Sequence, residues 1–289
     1  MKNSLRNGFF SLIVLVLLLS FSACQQGQKQ EEKAPASSPA PAQVAQEDAI
    51  NTILKRGKLL VGLEAGYMPF EMRAKEGDII GFDVDMTTAM AKAMGVEVEY
   101  VNTNWDGIIP ALMTKKFDII ASGMTITQSR NLKINFANPY ITVGQTILLN
   151  KKLKGQVTSY KQLNNPKYTV ASKLGTTGEQ AVKRMIPRAK YLSYETEQEG
   201  SMEVINGRID AFVYDLPFNA IMASGKGKDQ IIHLDDPFTF EPLGWAIRKG
   251  DADFLNWLNN FMYQVKNDGT YDQIYDKWFK DSSWLQKVQ

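Results

Sequence analysis

The sequence predicts an α/β protein built from two units of similar rhythm. Three observations carry this. Short apolar runs alternate with helical patterns from Lys58 to Ala121, the succession recurs from Gln145 to Tyr214, and glycines or prolines punctuate the joins.

Lys58-Leu59-Leu60-Val61-Gly62-Leu63 reads as the first strand. Gly81-Phe82-Asp83-Val84-Asp85 leads into a helix through Met94, and Gly95 is its stop signal. Val96 to Val101 alternates like a half-buried strand. Trp105-Asp106-Gly107 opens a helix over 108–114, with Pro110 expected in its first turn. Phe117-Asp118-Ile119-Ile120-Ala121 reads as a buried strand, completing β-α-β-α-β.

In the second unit, Thr146 to Leu149, Tyr168 to Ala171 and Ile209 to Tyr214 read as strands. Helices are expected over 178–185, where Pro187 follows, and over 202–206. Two more run over 253–266 and 271–279, with Asn267-Asp268-Gly269 between them.

The N-terminus indicates the compartment. Lys2 and Arg6 precede an apolar run from Phe9 to Phe21, and Ser22-Ala23 stand before Cys24, the single cysteine. That form fits a lipoprotein signal over 1–23, cleaved before Cys24, which is then acylated. Phe21 departs from the aliphatic residue usual there. Residues 24–49 read as a tether, since a segment such as Ala34-Pro35-Ala36-Ser37-Ser38-Pro39-Ala40-Pro41 cannot bury a core. The expected location is the cell envelope, with the chain held to a membrane by its lipid alone and facing the periplasm or exterior.

The chain holds 33 basic and 31 acidic residues. Both basic residues of 1–23 leave with the signal, so the mature chain is balanced. A balanced charge without a basic-aromatic stripe argues against a nucleic-acid partner. One cysteine excludes an internal disulfide. The single histidine, His233, belongs to no nucleophile–base pair or metal cluster, so no metal or cofactor is expected.

The segment Gly123-Met124-Thr125-Ile126-Thr127-Gln128-Ser129-Arg130 follows a strand with a glycine, hydroxyls and an arginine. Arginine's planar fork and nearby hydroxyls suit an organic carboxylate, and strand ends of open sheets are where small ligands sit. A capped turn with a solvated arginine is the plain alternative.

Together with that segment, Gly81 to Asp85, Gly107-Ile108-Ile109-Pro110-Ala111-Leu112 and Asp268 to Phe279 resemble the bacterial polar amino-acid-binding proteins, the family-3 extracytoplasmic solute receptors of ABC importers. The resemblance covers roughly residues 50 to 282. It implies a two-lobed periplasmic-binding-protein type II fold, each lobe a mostly parallel sheet flanked by helices, closing on one amino acid at a hinge. Lobe one would span 50–140 and 243–289. Lobe two would span 141–242, with crossings near Tyr140 to Gly144 and Pro237 to Pro242. The implied function is delivery of a free amino acid to an ABC permease by a monomer without catalytic activity.

The resemblance also implies residue roles. Arg130 stands at the carboxylate-binding position, Thr125 at the assisting hydroxyl, and Gly123 where a carbonyl faces the ammonium. Asp215 matches the carboxylate that pairs the ammonium; before Pro217 it also suits turn capping. Thr177 matches the residue that closes over the carboxylate from lobe two, or serves as a helix cap. Tyr67 and Trp105 match an aromatic pair bracketing the ligand side chain, with core packing as the alternative.

Selectivity is placed on Glu64 and Lys173. Acting together on an amide they fit glutamine. Glu64 without Lys173 favours arginine or lysine. Paired with each other they narrow the pocket and say little about the ligand. Two rival functions share the fold: a cyclohexadienyl-dehydratase-like enzyme using Glu64 or Glu241 as acid, and a sensory or adhesive lipoprotein.

Overall fold

The computed structural model describes residues 48–288. The signal, Cys24 and the tether up to residue 47 lie outside the described residues. Among the described residues, no helix is long and apolar enough to cross a membrane.

The chain opens on helix α1 (Ala49–Arg56), with the Asp48 carboxylate accepting from Asn51 N–H at 2.9 Å. Ala49, placed in the tether from sequence, is buried and donates its N–H to Asp251. The helix therefore starts one residue ahead of the expected lobe boundary, because Asp48 caps it locally and the distant Asp251 anchors its first N–H.

β1 (Lys58–Leu63), a short ribbon of β2 (Met72–Arg73) and β3 (Ile79–Ile80), α2 (Phe82–Met94), β4 (Glu97–Asn102), α3 (Trp105–Met113), β5 (Ile119–Ile120), α4 (Gln128–Asn131) and β6 (Asn135–Phe136) follow. α2 ends at Gly95, whose φ of 71° few other residues adopt. α3 begins at Trp105, so Pro110 lies inside the helix and not in its first turn.

β7 (Ile141–Val143) leads to β8 (Gln145–Asn150), α5 (Tyr160–Leu163), β9 (Thr169–Lys173), α6 (Thr177–Met185), β10 (Lys190–Tyr194), α7 (Glu197–Ile205), β11 (Ala211–Asp215), α8 (Leu216–Ser224) and β12 (Ile231–Leu234). β13 (Glu241–Leu243) and β14 (Ala246–Ile247) return the chain, and α9 (Ala252–Asn267) and α10 (Thr270–Tyr275) complete the named helices.

Two five-stranded sheets result, ordered β4-β1-β5-β14-β6 and β10-β9-β11-β8-β12. Both are mixed. In the first, β1 runs parallel to β4 and β5, while β14 is antiparallel to β5 and β6. In the second, β9 runs parallel to β10 and β11, while β8 is antiparallel to β11 and β12. The two lobes thus share one strand pattern without sharing a sequence. Between them β7 and β13 form an antiparallel ribbon.

Both sheets are covered on both faces, as the two-residue period of a strand requires. Ile119 of β5 joins the core with Leu59, Val61 and Trp245, while its neighbour Ile120 packs with Ile108, Leu112 and Phe117. In β11, Phe212 faces one core and Ala211 and Val213 face the other. This double burial explains the continuous apolar runs of the sequence. It also leaves the strand ends, where the next residues are polar, as the place for chemistry.

Candidate functional site

Four strand ends converge between the lobes. β1 is followed by Glu64 and Tyr67, β5 by Gly123 and Thr125, β9 ends at Lys173, and β11 ends at Asp215. Tyr67, Trp105, Gly123, Thr125, Arg130, Thr177 and Asp215 line one cavity, joined by Gln145, Thr176 and Tyr214. Glu64 and Lys173 stand outside it, next to Trp105.

Gly123 is buried in a left-handed conformation, φ 49°, and a Cβ there would lie 2.3 Å from the Tyr67 ring. Its N–H donates to Asp83 at 2.9 Å, and Asp83 also accepts from Tyr140 and Trp245. This buried post fixes the turn after β5. Burial raises the Asp83 carboxyl to about 6, against the pull of those three donors.

Arg130 sits on α4, which Thr127 caps by accepting the Arg130 N–H at 3.2 Å. The guanidinium is buried. It donates from Nη1 to the Thr125 carbonyl at 2.9 Å and from Nη2 to the Gly175 carbonyl at 3.3 Å. Its Cζ lies 5.3 Å from the Trp105 ring centroid. Among the described residues no carboxylate forms a salt bridge with it, and burial lowers its pKa to about 10. A buried, charged fork that Glu241 and Asp215 favour electrostatically without a salt bridge is suited to capture an anion.

Asp215 is 5% exposed. It accepts from the Tyr67 hydroxyl and from Gln145 Nε2. Burial pushes its carboxyl up to about 7, although both donors and Arg130 favour the ionised form. Thr177 opens α6 and lies 3.4 Å, Oγ1 to Oγ1, from Thr125 across the cleft. Thr177 Oγ1 also accepts from Gln145 Nε2 at 3.3 Å. The cap of α6 is its neighbour Thr176, whose hydroxyl accepts from Glu179 N–H at 3.3 Å. Trp105 donates from Nε1 to the Gly175 carbonyl at 3.1 Å.

Lys173 is 1% exposed and is held by two carboxylates: Glu64, and Glu197 at 2.7 Å. Burial opposes its charge, but the two carboxylates more than offset this and raise its pKa. Burial raises that of Glu64, against the attraction of Lys173. Two groups expected to read a ligand amide are therefore spent on each other. Glu197, Gln145 and Tyr214 were not singled out from sequence. The signal for Glu197 was legible in part: Thr196 and Glu199 form a capping box that places Glu197 in the first turn of α7. Its approach to Lys173 was not.

The cavity holds about 20 Å³. That is room for about one water and not for an amino acid. The lobes are closed on their own side chains. A second cavity, of about 120 Å³, is lined by Glu64, Trp105, Asp106 and Glu195 among others. A wider groove of about 530 Å³ lies beside the hinge ribbon, lined by Ile141, Val143, Leu216 and Trp278 among others. Its charged lining residues are Lys280 and Asp281. His233 supports the fold, with Nε2 2.9 Å from Thr146 Oγ1 and its pKa lowered by burial.

Residues 59–281 match the family model of the bacterial extracellular solute-binding proteins, family 3. The L-cystine-binding protein TcyJ of Escherichia coli K12 is 31% identical over 81% of this chain and 87% of its own length. Among solved structures, a binding component of an ABC transporter from Wolinella succinogenes, complexed with lysine, is 56% identical. It covers 80% of this chain and 100% of its own, with a TM-score of 0.78. An ancestral amino-acid-binding protein, AncCDT-1, described as a precursor of cyclohexadienyl dehydratase, is 50% identical. It covers 80% of this chain and all (100%) of its own, with a TM-score of 0.76.

Proposed function

The chain belongs to the bacterial extracellular solute-binding proteins, family 3, and is an amino-acid-binding protein of ABC transporters; from that premise we propose that its ligand is a basic amino acid, lysine or arginine. The observation that carries the choice is the charge balance of the closed cleft. Around Lys173 two carboxylates, Glu64 and Glu197, stand against one cation. A zwitterion adds one charge of each sign, which Arg130 and Asp215 would pair. One carboxylate then remains in excess around Lys173, and a cationic side chain supplies what is missing. Trp105 offers an aromatic face beside Glu64 for such a side chain.

Glutamine loses support, because Lys173 and Glu64 satisfy each other. The structural neighbour at 56% identity was solved with lysine, which agrees with the basic reading. The enzymatic alternative needs a free acid in the cleft. Glu64 is bound to Lys173, Glu241 is buried on β13 and does not line the cleft cavity, and the neighbour related to dehydratases is itself described as an amino-acid-binding protein.

In this reading Tyr67 and Trp105 bracket the ligand side chain, Gly123 faces the ammonium, and Thr125 and Thr177 complete the carboxylate shell from the two lobes. A lipid on Cys24 would hold the receptor at the membrane, from which a monomer would deliver its ligand to an ABC permease. The test is thermal denaturation of the purified protein with each of the twenty amino acids. Lysine or arginine at about 100 times its Kd should add roughly 2.7 kcal/mol of stability. Stabilisation by glutamine alone overturns the basic reading.

A further inference from the structure

The two carboxylates on Lys173 differ in standing. Lys173 ends β9 and Glu197 opens α7, and these elements pack together within the second lobe. Their pair survives when the lobes part. Glu64 follows β1 of the first lobe and reaches Lys173 across the cleft, so that contact breaks on opening. Glu197 is fully buried, and its Oε1 has no hydrogen-bond partner among the described residues. Gly66 of the first lobe leaves room for this oxygen, since a Cβ there would stand 3.1 Å from it.

We infer that Glu197 is a specificity-determining positioning residue: it neutralises Lys173 within the second lobe and so frees Glu64 for the cationic end of a basic amino acid. The inference rests on the basic-ligand reading above. Lys173 Nζ lies 5.7 Å from the Trp105 ring centroid, beside the aromatic face that the basic-ligand reading assigns to the ligand's cation. A buried ammonium is not left unpaired. When Glu64 moves away, Glu197 alone must hold Lys173. On closure around ligand the new cation must displace Lys173 from Glu64, and Glu197 keeps Lys173 paired as it gives that contact up. Without Glu197, Lys173 would keep Glu64 for itself and repel the incoming charge.

The experiment is calorimetric titration of the full chain with lysine, arginine and glutamine. Wild type, Glu197→Gln and the double variant Lys173→Met/Glu197→Gln are compared, with circular dichroism as the check on folding. Glu197→Gln should lose affinity for lysine and arginine by at least about tenfold more than for glutamine. The double variant should regain the preference, since Lys173 is no longer there to claim Glu64. Equal losses for all three ligands in Glu197→Gln, or no regain in the double variant, overturn the inference while leaving the basic-ligand reading intact. If Glu197→Gln does not fold, the double variant decides alone: a preference for lysine over glutamine below that of wild type overturns the inference. A wild type that binds glutamine and neither basic amino acid overturns both.

Discussion

The Tyr67 hydroxyl, from the first lobe, donates a hydrogen bond to the Asp215 carboxylate of the second. The phenol thereby occupies the carboxylate proposed above as the partner of an amino acid's ammonium. Trp105 and Arg130 do likewise at the Gly175 carbonyl, and Gln198 Nε2 reaches the Gly66 carbonyl. These contacts bridge the two lobes, so a ligand acts through its differential contacts with the open and closed forms.

Tyr67→Phe keeps the ring and removes the donor. A hydrogen bond to a charged group contributes about 1.5–3 kcal/mol, so the ligand-free equilibrium should shift roughly tenfold or more toward the open form. Small-angle scattering without ligand should give a larger radius of gyration for the variant than for wild type. Equal radii would mean that this contact does not hold the closed form.

Arg130→Ala should remove most binding. Truncating one side of a buried charge pair costs about 3–5 kcal/mol, which corresponds to a loss of roughly a hundredfold or more in affinity. Calorimetry returning near wild-type affinity would exclude Arg130 as the carboxylate anchor.

Acid should weaken binding through Asp215. Its carboxyl titrates at about 7 in the ligand-free cleft, and a ligand ammonium requires the ionised form. Affinity should fall by up to about tenfold per pH unit below pH 7, and Asp215→Asn should bind weakly with a flatter profile. The stability of the ligand-free protein should move the other way. The folded form holds a proton that the unfolded chain, titrating near 3.8, releases earlier. Stability therefore falls as pH rises from about 4 to about 7. Asp83, raised to about 6, adds in the same direction. Denaturant midpoints across that range check the sign, and a midpoint that climbs from pH 4 to 7 contradicts it.

Gly123→Ala should destabilise the fold and the site together. The added Cβ meets the Tyr67 ring at 2.3 Å in a backbone conformation that disfavours any side chain. The expected cost is about 1–3 kcal/mol, read from urea unfolding. An unchanged midpoint would show that Tyr67 yields freely.

Cys24→Ala should release the protein from membranes or leave the signal uncut. Cleaved protein that still sediments with membrane would exclude the lipid anchor.

The alternation of strand and helix was legible in the sequence because each element is specified locally. The run Lys58 to Leu63, the helix closed by Gly95 and the strand leading to Asp215 are short-range patterns, and they stand where they were expected. The turn from Gly123 to Arg130 suited either a carboxylate site or a capped turn with a solvated arginine from residue types alone, and the fold buries the guanidinium. Pro110 misled because it was taken as a start signal; the surrounding helix tolerates it in the interior.

What only the tertiary structure decided are the contacts across the cleft. Glu64 and Lys173 are 109 residues apart, and Tyr67 and Asp215 are 148 apart. Whether Lys173 would read a ligand or bind Glu64 depended on the angle between the lobes and on Glu197, which no local pattern sets. Residue types and periods determine which groups stand at strand ends. The tertiary fold decides which of those groups meet, because a buried charge takes whichever partner the backbone brings within reach.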